Sequence, residues 1–186
     1  MDKAREITRL NAAYGKLPRT AGRWLLSRRF VPAEGPPDAE VMFIGQAPGR
    51  NEDMQLRPFI GTSGKFLDRL MGLAGIERKS AYIASVVQFF PPENRIPSDE
   101  EIQLCSRFLF RQIDIVNPRF VILLGSVACK TVLGMEKIGS IHGTVVKKGN
   151  RTYMLSMHPA AAVRIRSKMP EMERDFRRFR KIMSRK

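Results

Sequence analysis

Two short stretches carry side chains suited to hydrogen-bonding or acid–base chemistry. One is Gln46-Ala47-Pro48-Gly49-Arg50-Asn51-Glu52-Asp53, and the other is His158-Pro159. His142 and His158 are the only histidines of the chain, and an imidazole can donate to a developing anion or exchange a proton near neutral pH. The amide of Gln46 cannot take a proton from water but can orient one, whereas Glu52 can polarise water or hold its own loop. Gly45 and Gly49 let backbone approach a ligand closely, and Pro48 stiffens the turn between them. Cysteine chemistry is sparse. Cys105 and Cys129 fit neither a disulfide framework nor a paired-cysteine metal knuckle.

These groups need elements to position them. The apolar run 41–45 empties into the first loop, as expected of a strand buried on both faces of a parallel sheet, where ligands gather at the carboxyl ends. Residues 82–87, 120–124 and 153–157 read as three further strands, and the last delivers His158. Between them lie helical patterns. Phe66 to Ala74 stops at Gly75; Ser98 and Glu101 form a capping box before Ile102, Cys105, Leu109, Ile113 and Val116; Ala128 to Leu133 closes at Gly134; and a final helix follows Pro170. The section 135–150 reads as irregular, with a turn at 147–150. Strands alternating with helices predict a parallel sheet covered on both faces.

With 186 residues and 43% hydrophobic content the chain suits one core: a basic N-terminal appendage, 1–30, and a domain, 31–186. Thirty-three Lys and Arg against 18 Asp and Glu give a net charge of +15, which implies a polyanion partner, most simply nucleic acid. No apolar stretch approaches the roughly 18 residues of a membrane span, and no apolar signal region follows Met1, so an intracellular, cytoplasmic protein with no membrane partner is expected. The Arg/Lys run near the C-terminus reads equally as a solvated helix face or a DNA-binding one.

In order, Gly45-Gln46-Ala47-Pro48-Gly49 with Glu52-Asp53, Arg57-Pro58-Phe59-Ile60-Gly61 with Ser63-Gly64, Tyr82-Ile83, Pro91-Pro92 with Asn94-Arg95 and Pro97, and His158-Pro159 resemble the uracil-DNA glycosylase superfamily, most closely its family 4. The resemblance implies a three-layer α/β/α sandwich around a four-stranded parallel sheet. It also implies a monomeric DNA-repair glycosylase that flips a deaminated base, most often uracil, out of DNA and hydrolyses its N-glycosidic bond. By that analogy His158, Gln46 and Glu52 are catalytic, and Ala47, Phe59 and Ser85 bind the base. Ser63, Arg95, Val163 and Arg164 contact DNA, with Val163 or Arg164 in a loop pushed into the duplex. A flipped base needs the Phe59 platform because it has lost its stacking neighbours.

The chain departs from the family at three places. Gln46 stands where family 4 has Glu, and Ser85 where an Asn reads the polar edge of uracil, so base discrimination should change. Family 4 also carries a four-iron, four-sulfur cluster on four cysteines, and only Cys105 stands at a ligand position; Phe89 occupies another. The expectation is a protein with no cofactor and no metal, in which Phe89, Phe90, Trp24 and Leu25 fill the vacated region. Gln46 and Ser85 keep a second reading open, a module that binds damaged DNA without cutting the glycosidic bond. A nucleotide hydrolase is disfavoured, because Gly61-Thr62-Ser63-Gly64-Lys65 lacks the spacing of a phosphate loop.

Overall fold

The computed structural model describes residues 2–17, 27 and 29–184. Its centre is a five-stranded sheet formed by β1 (Val41–Gly45), β2 (Ala81–Ser85), β3 (Phe120–Leu124), β4 (Val145–Lys148) and β5 (Arg151–Ser156), in the order β2-β1-β3-β5-β4. The first four strands of that order run parallel and β4 pairs antiparallel with β5. Helices lie on both sides, which gives the three layers expected.

Strand alternation assigns the two faces. Met42, Ile44, Tyr82, Ala84, Val121, Leu123 and Leu155 point into one core, with α1 (Lys3–Gly15), α4 (Asp99–Val116) and α5 (Ser126–Leu133). Phe43, Ile83, Phe120, Ile122, Leu124 and Met154 point into the other, under α3 (Thr62–Ala74), α7 (Pro159–Arg164) and α8 (Met169–Met183). The remaining helices, α2 (Arg50–Gln55) and α6 (Ile138–Ile141), are short. Because β1 and β3 are sandwiched, every one of their residues is buried, which is why they read as unbroken apolar runs.

Helix ends follow local chemistry. The Ser98 hydroxyl accepts from the Glu101 backbone N–H at 3.2 Å, while the Ser98 N–H donates to the Glu101 carboxylate at 2.8 Å. Gly75 and Gly134 close α3 and α5 at φ +73° and +70°, a conformation that favours glycine.

The expected four-stranded sheet is corrected to five strands, and the irregular section 135–150 resolves into α6 and β4. Val145-Val146-Lys147-Lys148 lacks apolar alternation because β4 is an edge strand whose last two residues are exposed. Lysines there also guard the free edge against pairing with other chains. Gly149, at φ +61°, starts the two-residue turn into β5.

The N-terminal helix packs on α4. Lys3 Nζ donates to the Val116 carbonyl at the α4 C-terminus, 2.8 Å away. Tyr14 is fully buried, stacked on Phe108 at a 4.2 Å centroid distance and edge-on to Phe89. Replacing it with Ala is expected to cost about 3–5 kcal/mol in urea denaturation. A cost under about 0.5 kcal/mol would instead mark this helix as a surface attachment.

Candidate active site

A cavity of about 610 Å³ opens at the carboxyl ends of the parallel strands, within the range of small-ligand sites. Five segments meet there: the loop after β1 with Gln46, Ala47 and Pro48; the turn carrying Phe59; Ser85 at the tip of β2; the turn with Pro91, Asn94 and Arg95; and His158 after β5. Gly45 pairs directly with Ser85, and the ladder continues beyond both strands through Val86 N–H to Gly45 O and Val87 N–H to Gln46 O, at 3.0 and 3.1 Å.

Phe59 is the least relaxed residue of the site. It sits at φ +51°, an uncommon region for a bulky side chain, and is 7% exposed. Its turn is gripped from two directions. From α2, Glu52 Oε1 accepts from the Ile60 and Gly61 N–H groups at 3.2 and 3.0 Å. From the segment before β2, Arg78 donates to the carbonyls of Pro58 and Phe59 at 2.7 and 3.1 Å. Arg78 is itself held by Asp68 at 2.7 Å and Glu34 at 3.4 Å, and Glu34 also takes a two-pronged contact from Arg57. Burial works against the Glu34 carboxylate, but hydrogen bonds from Arg57 and the charge of Arg78 outweigh it and hold its pKa below the usual value.

Two glycines make room for this turn. A Cβ on Gly64 would lie 1.9 Å from the Phe59 carbonyl oxygen, and one on Gly45 would lie 2.6 Å from the Phe59 ring. The ring thus lies directly over the end of β1. On its other side it stacks on the His158 imidazole, with centroids 5.8 Å apart and planes at 29°.

His158 caps α7, with Pro159 at the first helical position, where a missing N–H costs nothing. Its Nδ1 accepts from the Ala160 backbone N–H at 3.2 Å. A lone pair at Nδ1 leaves the neutral ring with its proton on Nε2. Burial pushes the His158 pKa down to about 4, helped by the Arg164 charge and opposed by Glu52. At neutral pH the ring is therefore an uncharged donor.

The other expected site residues divide. Gln46 is half-buried on the cavity wall with Ala47, and Ser85 is buried there with no hydrogen-bond partner for its hydroxyl among the described residues. Glu52 borders the cavity with Oε1 occupied by two backbone N–H groups. Ser63, in the first turn of α3, and Arg164 border the same opening. Arg95 lines it too, but its guanidinium is paired with Glu101 at 2.8 and 2.7 Å. Val163 packs partly into the core beneath α7, and the exposed apolar side chain beside it is Ile165, at 52%. The residues 160–164, read as a loop, form α7. Sequence reasoning missed Arg78 and Ile165. Arg78 lies in a plain basic stretch with no motif around it, whereas Ile165 could have been found as the one large apolar residue among Arg164, Arg166 and Lys168.

The model of the uracil-DNA glycosylase superfamily matches residues 32–183. A Type-4 uracil-DNA glycosylase of Sulfurisphaera tokodaii is 36% identical over 171 residues, covering 86% of this chain and 77% of its own. One of Thermotoga maritima is 36% identical over 140 residues, covering 74% and 73%. A Type-5 uracil-DNA glycosylase of Pyrobaculum aerophilum is 34% identical over 155 residues, covering 74% and 68%.

The Type-4 relatives overturn the expectation of a cofactor-free protein, because that class carries an iron–sulfur cluster. That expectation rests on ligand positions, since only Cys105 stands at one and Phe89 occupies another. Cysteine is not the only ligand such clusters use, and Trp24 and Leu25, expected to fill the region, lie outside the described residues. The described residues nonetheless do not fit a four-thiolate cluster. Cys105 and Cys129 are both fully buried, burial pushes their thiols up to about 11 and about 12, and no group of three or more His, Cys, Asp or Glu among the described residues could hold a metal.

If Glu52 works as a clamp, Glu52→Ala should destabilise the fold by about 3 kcal/mol, since two buried N–H groups lose a charged acceptor. Glu52→Gln should cost about 1 kcal/mol or less, because its amide oxygen can accept both bonds. Urea denaturation of the pair measures the difference, and equal losses would count against the clamp.

Proposed function

The chain belongs to the uracil-DNA glycosylase superfamily, and on that premise we propose that the cavity holds a uracil flipped out of DNA while its N-glycosidic bond is hydrolysed. The protein is a DNA-repair glycosylase whose substrate is DNA. The carrying observation is the neutral, capped imidazole of His158 stacked beside Phe59 at the cavity floor.

Cleavage of the bond leaves negative charge on the departing base and positive charge on the sugar. The base stacks on the Phe59 ring, which is pre-positioned by its turn. The His158 Nε2–H donates to the carbonyl oxygen where charge accumulates; as a neutral donor it strengthens its hydrogen bond in the transition state without surrendering a proton. The Ser85 hydroxyl offers one hydrogen bond to the polar edge of the base, a looser reading than a two-ended amide gives. Gln46 orients the water that captures the sugar cation. Glu52 is assigned to holding the turn, with its charge adding to the anionic field near the sugar.

Ser63 and the α3 N-terminus face the cavity rim, as a phosphate contact requires. Arg164 suits the same role. Arg95 is assigned to shaping the rim, since its charge is balanced by Glu101. The chain is taken to act as a monomer, inside the cell with its DNA, because one chain lines the whole cavity. No helix among the described residues is long and apolar enough to cross a membrane.

Release of free uracil from a uracil-containing oligonucleotide tests the reading, and tight, salt-sensitive DNA binding without turnover would select the binding module instead. His158→Ala should lower kcat by about 10²–10³. Glu52→Gln should stay within about tenfold of the parent; a loss beyond about a hundredfold would make Glu52 a reacting group.

The pH dependence follows from the direction of the His158 shift. With a folded pKa of about 4 and an ordinary value of 6.5, the unfolded chain binds a proton that the folded chain refuses between those limits. Stability therefore declines as pH falls from 6.5 to 4. For kcat/KM the expectation is a plateau from about pH 5.5 to 8 with a fall near pH 4. A rate that climbs on acidification with a midpoint near 6.5 would mean that the imidazolium is the active form.

A further inference from the structure

The charge pattern of α8 lies outside the cavity and is not used by the chemistry. Met172, Phe176 and Phe179 seal this helix onto the sheet. Its carboxylates all turn sideways to partners: Glu171 and Asp175 face the two ring nitrogens of His142 at 3.4 and 2.6 Å, and Glu173 binds Arg69 at 2.7 Å and Arg177 at 3.4 Å. The outer face is left to Arg174, Arg178 and Lys181, at i, i+4 and i+7, all exposed. None of these three side chains has an ion-pair or hydrogen-bond partner among the described residues.

Like charges at such spacings destabilise a helix, and a merely solvated face would normally intersperse the opposite sign. The stripe also begins at a telling place. The chain enters α8 from α7 through Arg166–Lys168, so the cations of α8 follow in the chain on exposed Arg164, which borders the cavity, and on exposed Arg166. From Arg174 to Lys181 the stripe spans roughly 10 Å, enough to follow about three phosphates at 3.4 Å per strand position.

We propose that the outer face of α8, through Arg174, Arg178 and Lys181, is a second DNA-contacting surface that grips the phosphate backbone of duplex flanking the flipped base. The choice of DNA among polyanions rests on the glycosylase reading; the surface itself rests on the charge pattern. It adds affinity and residence on undamaged duplex without touching the reacting base.

The test compares the parent with Arg174→Gln/Arg178→Gln/Lys181→Gln, substitutions that retain helix propensity at exposed positions, and with Arg178→Gln alone. Binding to an undamaged 30-base-pair duplex is followed by fluorescence anisotropy across a salt series. The triple variant should lose about 2.7 from the slope of log affinity against log salt, and the single variant about 0.9. Affinity at moderate salt should fall about tenfold or more, with excision from a short single-stranded uracil oligonucleotide unchanged. Unaltered slope and affinity would overturn the proposal, as would loss of binding to anionic vesicles with duplex binding intact. If the parent excises no uracil while the slope difference persists, the surface stands and the functional reading of the cavity falls.

Discussion

The site depends on holding one phenylalanine in a conformation it would not choose. Phe59 at φ +51° costs on the order of 1–3 kcal/mol relative to relaxed backbone. Four hydrogen bonds to ionised groups, two from the turn's N–H groups to Glu52 and two from Arg78 to its carbonyls, offset that cost. The grip comes from opposite ends of the local sequence, one in α2 and one just before β2, so the turn cannot relax without disturbing both. Gly45 and Gly64 complete the constraint by leaving no Cβ where the Phe59 ring and carbonyl must lie. Fixed in this way the ring is a platform at the end of β1, 7% exposed and packed beside His158.

That platform also solves a distance problem set by the sheet. Gln46 leaves β1 and His158 leaves β5, and β3 lies between those strands. At about 4.8 Å per strand the two tips are roughly 10 Å apart. The Phe59 ring bridges the gap, resting over Gly45 on one side and 5.8 Å from the His158 ring on the other. Gly125, at the end of β3, keeps the middle of the span low; a Cβ there would come within 3.0 Å of His158 Cβ. Gln46 and His158 therefore stand apart, across a floor of aromatic and backbone atoms.

Much of this was legible in the sequence because it is written in local signals. The apolar runs of β1 and β3, the Ser98–Glu101 cap, the glycine stops after α3 and α5, and the His-Pro pair after β5 each report a short-range physical requirement. What escaped depends on tertiary partners. Edge strand β4 shows no alternation because one of its sides has no neighbour. Arg78 has no motif because its role is set by two carbonyls nearly twenty residues away in the chain. Arg95, expected at the DNA, is paired with Glu101, and Val163, expected as the wedge in alternative to Arg164, lies half-buried in α7. The expectation of no cofactor is overturned by the Type-4 relatives rather than by any group among the described residues.

The distribution of charge explains how a chain of +15 can cradle an uncharged base. The cations at the cavity floor are balanced or neutral. Arg95 is balanced by Glu101, whose carboxyl is held below its usual pKa chiefly by that arginine. Glu52 is met by two backbone N–H groups, and His158 is kept uncharged by burial and by the N–H it accepts. Unbalanced cations begin only at the rim, with Arg164, and continue outward along α8. On the proposed reading, a phosphate moving inward would leave favourable charge behind, whereas a uracil ring would lose only water and gain a stacking face and two donors. Sorting of backbone from base thus follows from where charge is cancelled, not from how much the protein carries.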